Sequence, residues 1–156
     1  MVVRRSFAAL FTSLLVMAGL VLVAAGPARA ATRYGSFWIS YGQSYVQGTV
    51  SFFNQSVRLV GTVRATPGNC RAMKVYTHTV QHFVLSETAD NYAAICASTQ
   101  SLDKPFDFTL QANIMGGASH VNVGFWGHEA NDGLPYQPLM PFGNCETYPN
   151  EGCTQP

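Results

Sequence analysis

Residues 46–64 read VQGTVSFFNQSVRLVGTVR, two runs in which apolar or small residues alternate with polar ones. Side chains on a β-strand point alternately to the two faces of a sheet, so each run predicts a strand with one buried face. Asn54 and Gln55 separate the runs and are expected to form a tight turn. The stretch therefore predicts a β-hairpin. Its expected buried face consists of Val46, Gly48, Val50, Phe52, Val57, Leu59, Gly61 and Val63.

Similar short runs lie on both sides of this hairpin, at 37–41, 73–77, 82–85, 92–97, 106–112 and 121–125. Turn-forming residues separate several of them, and no stretch after residue 30 has a persuasive helical period. Seven or eight short strands at this spacing predict an all-β fold, an antiparallel β-sandwich. The layout looks like that of many small exported bacterial β-sandwich proteins and is immunoglobulin-like in general style. The antibody arrangement is absent, because no tryptophan lies between Cys70 and Cys96.

The sequence predicts three segments. Residues 1–30 are expected to be a cleaved signal peptide, since Arg4 and Arg5 precede an apolar run that ends in Ala28-Arg29-Ala30. A retained membrane anchor is the alternative. The Arg-Arg-x-Phe start also fits twin-arginine export, although the strongly apolar run favours the Sec route. Residues 31–130 are expected to form the sandwich, and residues 131–156 an irregular, proline-rich strap packed on it.

The exported part has four cysteines, which predict two disulfides in an oxidising compartment. Three pairings are possible, and the sequence alone does not choose among them. Cys70–Cys96 with Cys145–Cys153 is preferred, because each bond then closes a loop within its own region. The second bond would tie the tail only to itself, so its removal is expected to cost little stability. Zinc–thiolate ligation is disfavoured, since no Cys-x-x-Cys pair is present.

Two tryptophans are the candidate ligand-binding residues, together with His128. Trp38 and Trp126 each fall on the polar side of their strand, where a side chain needs either a ligand or a cover. An indole ring can stack on the apolar face of a sugar. The apolar tail could instead lie over both rings.

Metal and catalytic sites are weaker candidates. His78 and His82 share strand parity, as do His120 and His128, yet nothing in the sequence brings the two pairs together. We therefore predict no metal site and no bound cofactor. Ser119 and His120 are adjacent, and on a strand they would point to opposite faces, so no Ser–His pair is expected.

The expected function is non-enzymatic binding or structural interaction at or outside the cell surface. Without the leader the chain carries six basic against eight acidic residues, which disfavours nucleic acid and anionic lipid as partners. A polysaccharide or a protein is the expected extracellular ligand, and no stable membrane insertion is expected after cleavage. The rival functions are a secreted hydrolase and a protease inhibitor that presents the Cys145–Cys153 loop.

Overall fold

The computed structural model describes residues 33–129 and 140–155. These residues form ten strands and no helix, in two packed sheets of five strands each. The predicted all-β sandwich is confirmed, with ten strands where seven or eight were predicted. The strands are β1 (Arg33–Tyr41), β2 (Ser44–Phe52), β3 (Ser56–Ala65), β4 (Asn69–His78), β5 (Val84–Glu87), β6 (Tyr92–Ala97), β7 (Leu102–Gln111), β8 (His120–Glu129), β9 (Met140–Thr147) and β10 (Gly152–Gln155).

The first sheet has the strand order β10-β1-β2-β3-β7. Its centre is the hairpin predicted for residues 46–64, in which Val46 lies opposite Val63 and Phe52 lies opposite Val57. These four side chains are buried, so the face predicted from the alternation is the core face. Neighbouring strands run antiparallel except for β1 and β10, which are parallel.

A row of four residues crosses the inner face of this sheet. Phe37, Gly48, Gly61 and Phe106 are successive partners on β1, β2, β3 and β7. Because the two central positions lack side chains, the phenylalanine rings lie over them and stack with centroids 6.4 Å apart. The two glycines therefore provide the space that the aromatic part of the core fills.

The second sheet has the order β5-β4-β8-β9, and β6 pairs with β4. β4 and β8 are antiparallel partners from one end to the other, which brings His78 opposite His120. β5 and β6 pair with different halves of β4. The inner face of this sheet completes the core with side chains that are not exposed, namely Met73, Val75, Val121, Val123 and Phe125.

The C-terminal segment is more regular than the predicted strap. Within residues 131–156, β9 extends the second sheet at the edge next to β8, and β10 extends the first sheet next to β1. Pro141 is tolerated because it lies on an edge strand beside a register shift at Trp126. Pro149 lies in the turn that joins the two strands. The prolines therefore restrict these strands to sheet edges and do not prevent them.

Both preferred disulfides are present, and these two bonds are typical of a protein from an oxidising compartment. Cys70–Cys96 joins β4 to its neighbour β6. Cys145–Cys153 joins β9 to β10 and so links the two sheets, with Cys145 fully buried in the core. The expectation that this bond ties the tail only to itself is therefore wrong.

Some predicted segments lie outside the described residues. Residues 1–32 include the whole expected leader, and residues 130–139 include part of the expected strap. Within residues 33–129 and 140–155, no helix is long and apolar enough to cross a membrane.

Candidate functional site

The outer face of the second sheet carries a depression of about 520 Å³, here called the sheet groove. Strands β4, β8 and β9 supply most of its wall, because their outward side chains lie side by side in register. The groove is lined by Tyr76, His78, Val84, Asn122, Gly124, Trp126, Gly143 and Asn144. This volume falls within the range of small-molecule binding sites, which is about 300–1,000 Å³.

Trp126 forms an aromatic wall of the sheet groove. Its strand neighbour Phe125 faces the core, so the indole points to the outer face, as the sequence predicted. The ring lies against Gly124, where a β-carbon would be only 2.5 Å from the indole Nε1. Gly124 thus lets the indole lie close to the backbone and leaves the groove open beside it. Among the described residues, no acceptor hydrogen-bonds to this Nε1.

Two amide side chains also line the sheet groove. Asn122 projects from β8 next to Glu146, and Asn144 projects from β9 opposite Gly124. Neither amide side chain hydrogen-bonds to another residue in the described part of the chain. Each amide can donate two hydrogen bonds and accept through its oxygen, so both are available to a polar ligand.

The other predicted ligand-binding residues lie elsewhere. Trp38 lies on the outer face of the first sheet, 50% exposed, beside Gln47 and Thr154. The two tryptophans are therefore on opposite outer faces and form no common platform. His128 shares a face of β8 with Trp126, yet it does not line the groove, and its Nδ1 lies 2.7 Å from the carbonyl oxygen of Glu129.

The described tail does not lie over either indole. It places β9 beside Trp126 and β10 beside Trp38, each as the next strand of the sheet. The cover expected from the apolar tail falls on residues 134–142, whose side chains are outside the described part of the structure.

Three histidines meet at one end of the sheet groove, and we call them the histidine cluster. The rings of His78 and His120 are parallel with centroids 4.9 Å apart, because these residues are partners on β4 and β8. His82 reaches back from the loop after β4, and its ring centroid is 4.7 Å from that of His120. The sequence predicted the pair His78 and His82. It also paired His120 with His128, but His128 lies outside the cluster in the structure.

Ser119 and His120 are paired, contrary to the sequence prediction. Ser119 precedes β8, so strand alternation does not apply to it, and its Oγ lies 2.9 Å from His120 Nδ1. The serine hydroxyl donates its proton to the carbonyl of His78 at 3.2 Å. With its proton on that carbonyl, the hydroxyl accepts from Nδ1, and in this tautomer the imidazole proton is on Nδ1 and the lone pair is on Nε2. In this arrangement His120 does not act as a base toward Ser119.

His120 is 1% exposed, and its burial lowers the pKa of the imidazole below the ordinary value of 6.5. The nearby His78 and His82 lower this pKa further, while Glu146 opposes the effect. The folded chain therefore binds a proton at His120 less readily than the unfolded chain does.

This difference predicts a pH-dependent stability. In the presence of a chelator, the contribution of His120 to the free energy of unfolding is constant above about pH 7. It falls as the pH drops through 6.5, because the unfolded chain then binds a proton at this residue more readily than the folded chain does. Urea unfolding between pH 7.5 and 5 measures the slope. His120→Gln should flatten it and His128→Gln should not. An equal slope in all three proteins would contradict this assignment.

No protein-family model matches the chain, and no curated protein matches it. Among solved structures, the chain has a weak similarity to the crystal structure of a penta-heme cytochrome c552 from Thermochromatium tepidum. The TM-score is 0.34 at 10% sequence identity, and the match covers 76% of this chain and 39% of that chain. A similarity of this size carries no argument about fold or function.

Proposed function

We propose that this chain is an exported, non-enzymatic binding protein that acts at or outside the cell surface and holds its ligand in the sheet groove. The leader-like residues 1–30 support export, and so do the two disulfides. The long apolar run and the alanine-rich leader favour a bacterial protein that uses the Sec route over the twin-arginine route.

The composition of the sheet groove carries this proposal. It combines the face of Trp126 with the amides of Asn122 and Asn144, which have no partner among the described residues. Small-ligand sites typically join apolar walls to a few polar groups that fix orientation. The first sheet offers a smaller depression of about 400 Å³ around Trp38, in which Trp38 supplies the exposed ring.

A saccharide is the ligand class that fits these groups best. A pyranose ring has an apolar C–H face that stacks on an indole, and hydroxyl groups at its rim that pair with amides. Asn122 and Asn144 lie on neighbouring strands beside Trp126 and can bond such hydroxyls together. The net negative charge of the exported part makes nucleic acid a poor alternative ligand.

The two rival functions have less support. Among the described residues that line the sheet groove there is no carboxylate, serine or cysteine, so the groove lacks the paired carboxylates and the serine or cysteine nucleophile that many hydrolases use. An inhibitor would need a protruding loop. The segment after Cys145 instead turns back onto the first sheet, where Asn150 donates its backbone N–H to the carbonyl of Tyr34 at 2.6 Å.

Replacing the groove tryptophan should abolish most saccharide binding. We expect the exported protein to bind at least one member of an array of gluco-, xylo-, manno- and chito-oligosaccharides. Trp126→Ala should weaken that binding at least about tenfold, since a buried aromatic contact contributes about 2 kcal/mol. Trp38→Ala is the matched control, because it removes an indole from the opposite face and should leave the affinity unchanged.

Isothermal titration calorimetry measures the affinities, and urea unfolding shows whether each variant is folded. The proposal fails if no oligosaccharide binds. It also fails if folded Trp126→Ala binds as tightly as the unmutated protein, or if Trp38→Ala is the variant that loses binding.

A further inference from the structure

The side chains beside the sheet groove also form a set of metal-ligand type, which is independent of the saccharide proposal. His82, His120 and Glu146 each offer one ligand atom, and these atoms lie within 4.8 Å of one another. Two donors on one tetrahedral metal are about 3.4 Å apart, given metal–ligand bonds of about 2.0–2.1 Å. His82 and Glu146 are exposed and can close this gap by rotating their side chains, while His120 stays fixed.

The Nε2 atom of His120 is the second observation that points to a ligand. It is buried and has no hydrogen-bond partner in residues 33–129 and 140–155. In the tautomer whose Nδ1 proton points to Ser119 Oγ, 2.9 Å away, this nitrogen carries the lone pair. A buried acceptor without a partner is uncommon in folded proteins, and a bound water or ion is one of its ordinary explanations.

Neighbouring side chains contact two of these residues, His120 and Glu146, as outer-shell groups do at metal sites. Ser119 accepts from the Nδ1 proton of His120 and fixes the orientation of its ring. The Tyr148 hydroxyl lies 3.2 Å from Glu146 Oε2, and its ring stacks on His120 with centroids 4.9 Å apart. A single side chain thus positions two of the three ligands.

The loop that carries His82 is also ordered by specific bonds. Thr79 accepts hydrogen bonds on its Oγ1 from the backbone N–H groups of Gln81 and Phe83. His78 Nδ1 lies 3.0 Å from the carbonyl oxygen of His82. His82 itself has φ = 62°, a left-handed conformation that a non-glycine residue adopts only at a cost. This turn aims its ring back at His120.

We propose that His82, His120 and Glu146 bind one divalent transition metal ion of borderline softness, Zn²⁺ or Cu²⁺. Two imidazoles and one carboxylate suit these ions, whereas Ca²⁺ and Mg²⁺ take oxygen ligands. Three protein ligands leave at least one coordination position open. The three ligands lie beside the sheet groove, since His78 both lines the groove and stacks on His120.

Metal titration of the chelator-treated protein tests the site. We expect one Zn²⁺ or Cu²⁺ ion per chain by isothermal titration calorimetry, and no heat from Ca²⁺ or Mg²⁺. His82→Ala, His120→Ala and Glu146→Gln should each weaken binding at least about tenfold, and His128→Ala should not. Electron paramagnetic resonance of the Cu²⁺ form should show nitrogen coupling that His82→Ala reduces.

His82 lies in an exposed loop, so His82→Ala keeps the test valid even if replacing the buried His120 unfolds the chain. The proposal is overturned if the unmutated protein binds neither ion. It is equally overturned if His82→Ala and Glu146→Gln bind as tightly as the unmutated protein, or if His128→Ala alone removes binding. Saccharide binding measured in the presence of a chelator tests the sheet groove without the metal. Failure of one proposal is therefore distinguishable from failure of the other.

Discussion

Replacing both Cys145 and Cys153 with alanine should lower the free energy of unfolding by about 3–5 kcal/mol. Closing this short loop restricts the unfolded chain by about 2.5 kcal/mol in the chain-entropy model. The remainder comes from the core, because Cys145 is fully buried against both sheets and its sulfur is lost. The bond also holds β9 to β10, which are edge strands of different sheets.

Urea unfolding of the oxidised proteins measures this change, and Cys70→Ala with Cys96→Ala is the matched control. Chain entropy alone ranks the control pair as more important, at about 3.5 kcal/mol, because it closes the longer loop. If the Cys145–Cys153 bond links the two sheets, its removal should lower the free energy of unfolding at least as much as removal of the Cys70–Cys96 bond. A cost below about 1 kcal/mol would mean that this bond ties the tail only to itself.

Gly61→Ala should destabilise the fold by about 1–3 kcal/mol or more, although it adds a single methyl group. A β-carbon at this position would be 2.6 Å from the ring of Phe106 and 2.8 Å from the Cα of Gly48. The backbone of Gly48 is held in the sheet and cannot move away, so the ring of Phe106 must shift. The stacked pair of Phe37 and Phe106 then separates.

Urea unfolding measures this loss too, and Thr49→Ala on the exposed face of the neighbouring strand should be nearly neutral. Gly61→Ala combined with Phe106→Leu should cost less than the sum of the single changes, because the smaller side chain frees part of the space. Additive costs, or a neutral Gly61→Ala, would contradict the role assigned to this row.

The core of the fold could be predicted because it depends on local alternation. The apolar residues expected on the inner face of the 46–64 hairpin all lie in the core. The role of Gly48 and Gly61 in making space for two aromatic rings could not be predicted. It depends on Phe37 and Phe106, which lie on other strands of the sheet.

The tail could not be predicted because its pairing is non-local. Prolines in residues 131–156 indicate irregular structure when each is taken alone, but an edge strand tolerates Pro141. The parallel pairing of β10 with β1 joins the two ends of the described chain and leaves no local pattern. For the same reason the preference for loops closed within one region predicted the correct cysteine pairs but not the sheets that they join.

The candidate site was predictable only in part. Parity correctly turned Trp126 outward, whereas His78 and His82 meet because the chain turns after β4 and not because they share a strand face. The sequence prediction treated Trp38 and Trp126 together, because strand parity does not show which sheet each strand joins. Glu146 was missed because its strand lies in the tail, which was expected to be irregular.

The side-chain signals of the two tryptophans provide the most direct test of the proposed ligand site. Each indole N–H gives one resonance in a nitrogen–proton correlation spectrum, so Trp38 reports on the first sheet and Trp126 on the second. On titration with the best-binding oligosaccharide, the account predicts that the Trp126 indole and the amide groups of Asn122 and Asn144 shift together, while the Trp38 indole stays in place. A shift of the Trp38 indole with an unmoved Trp126 signal would contradict it.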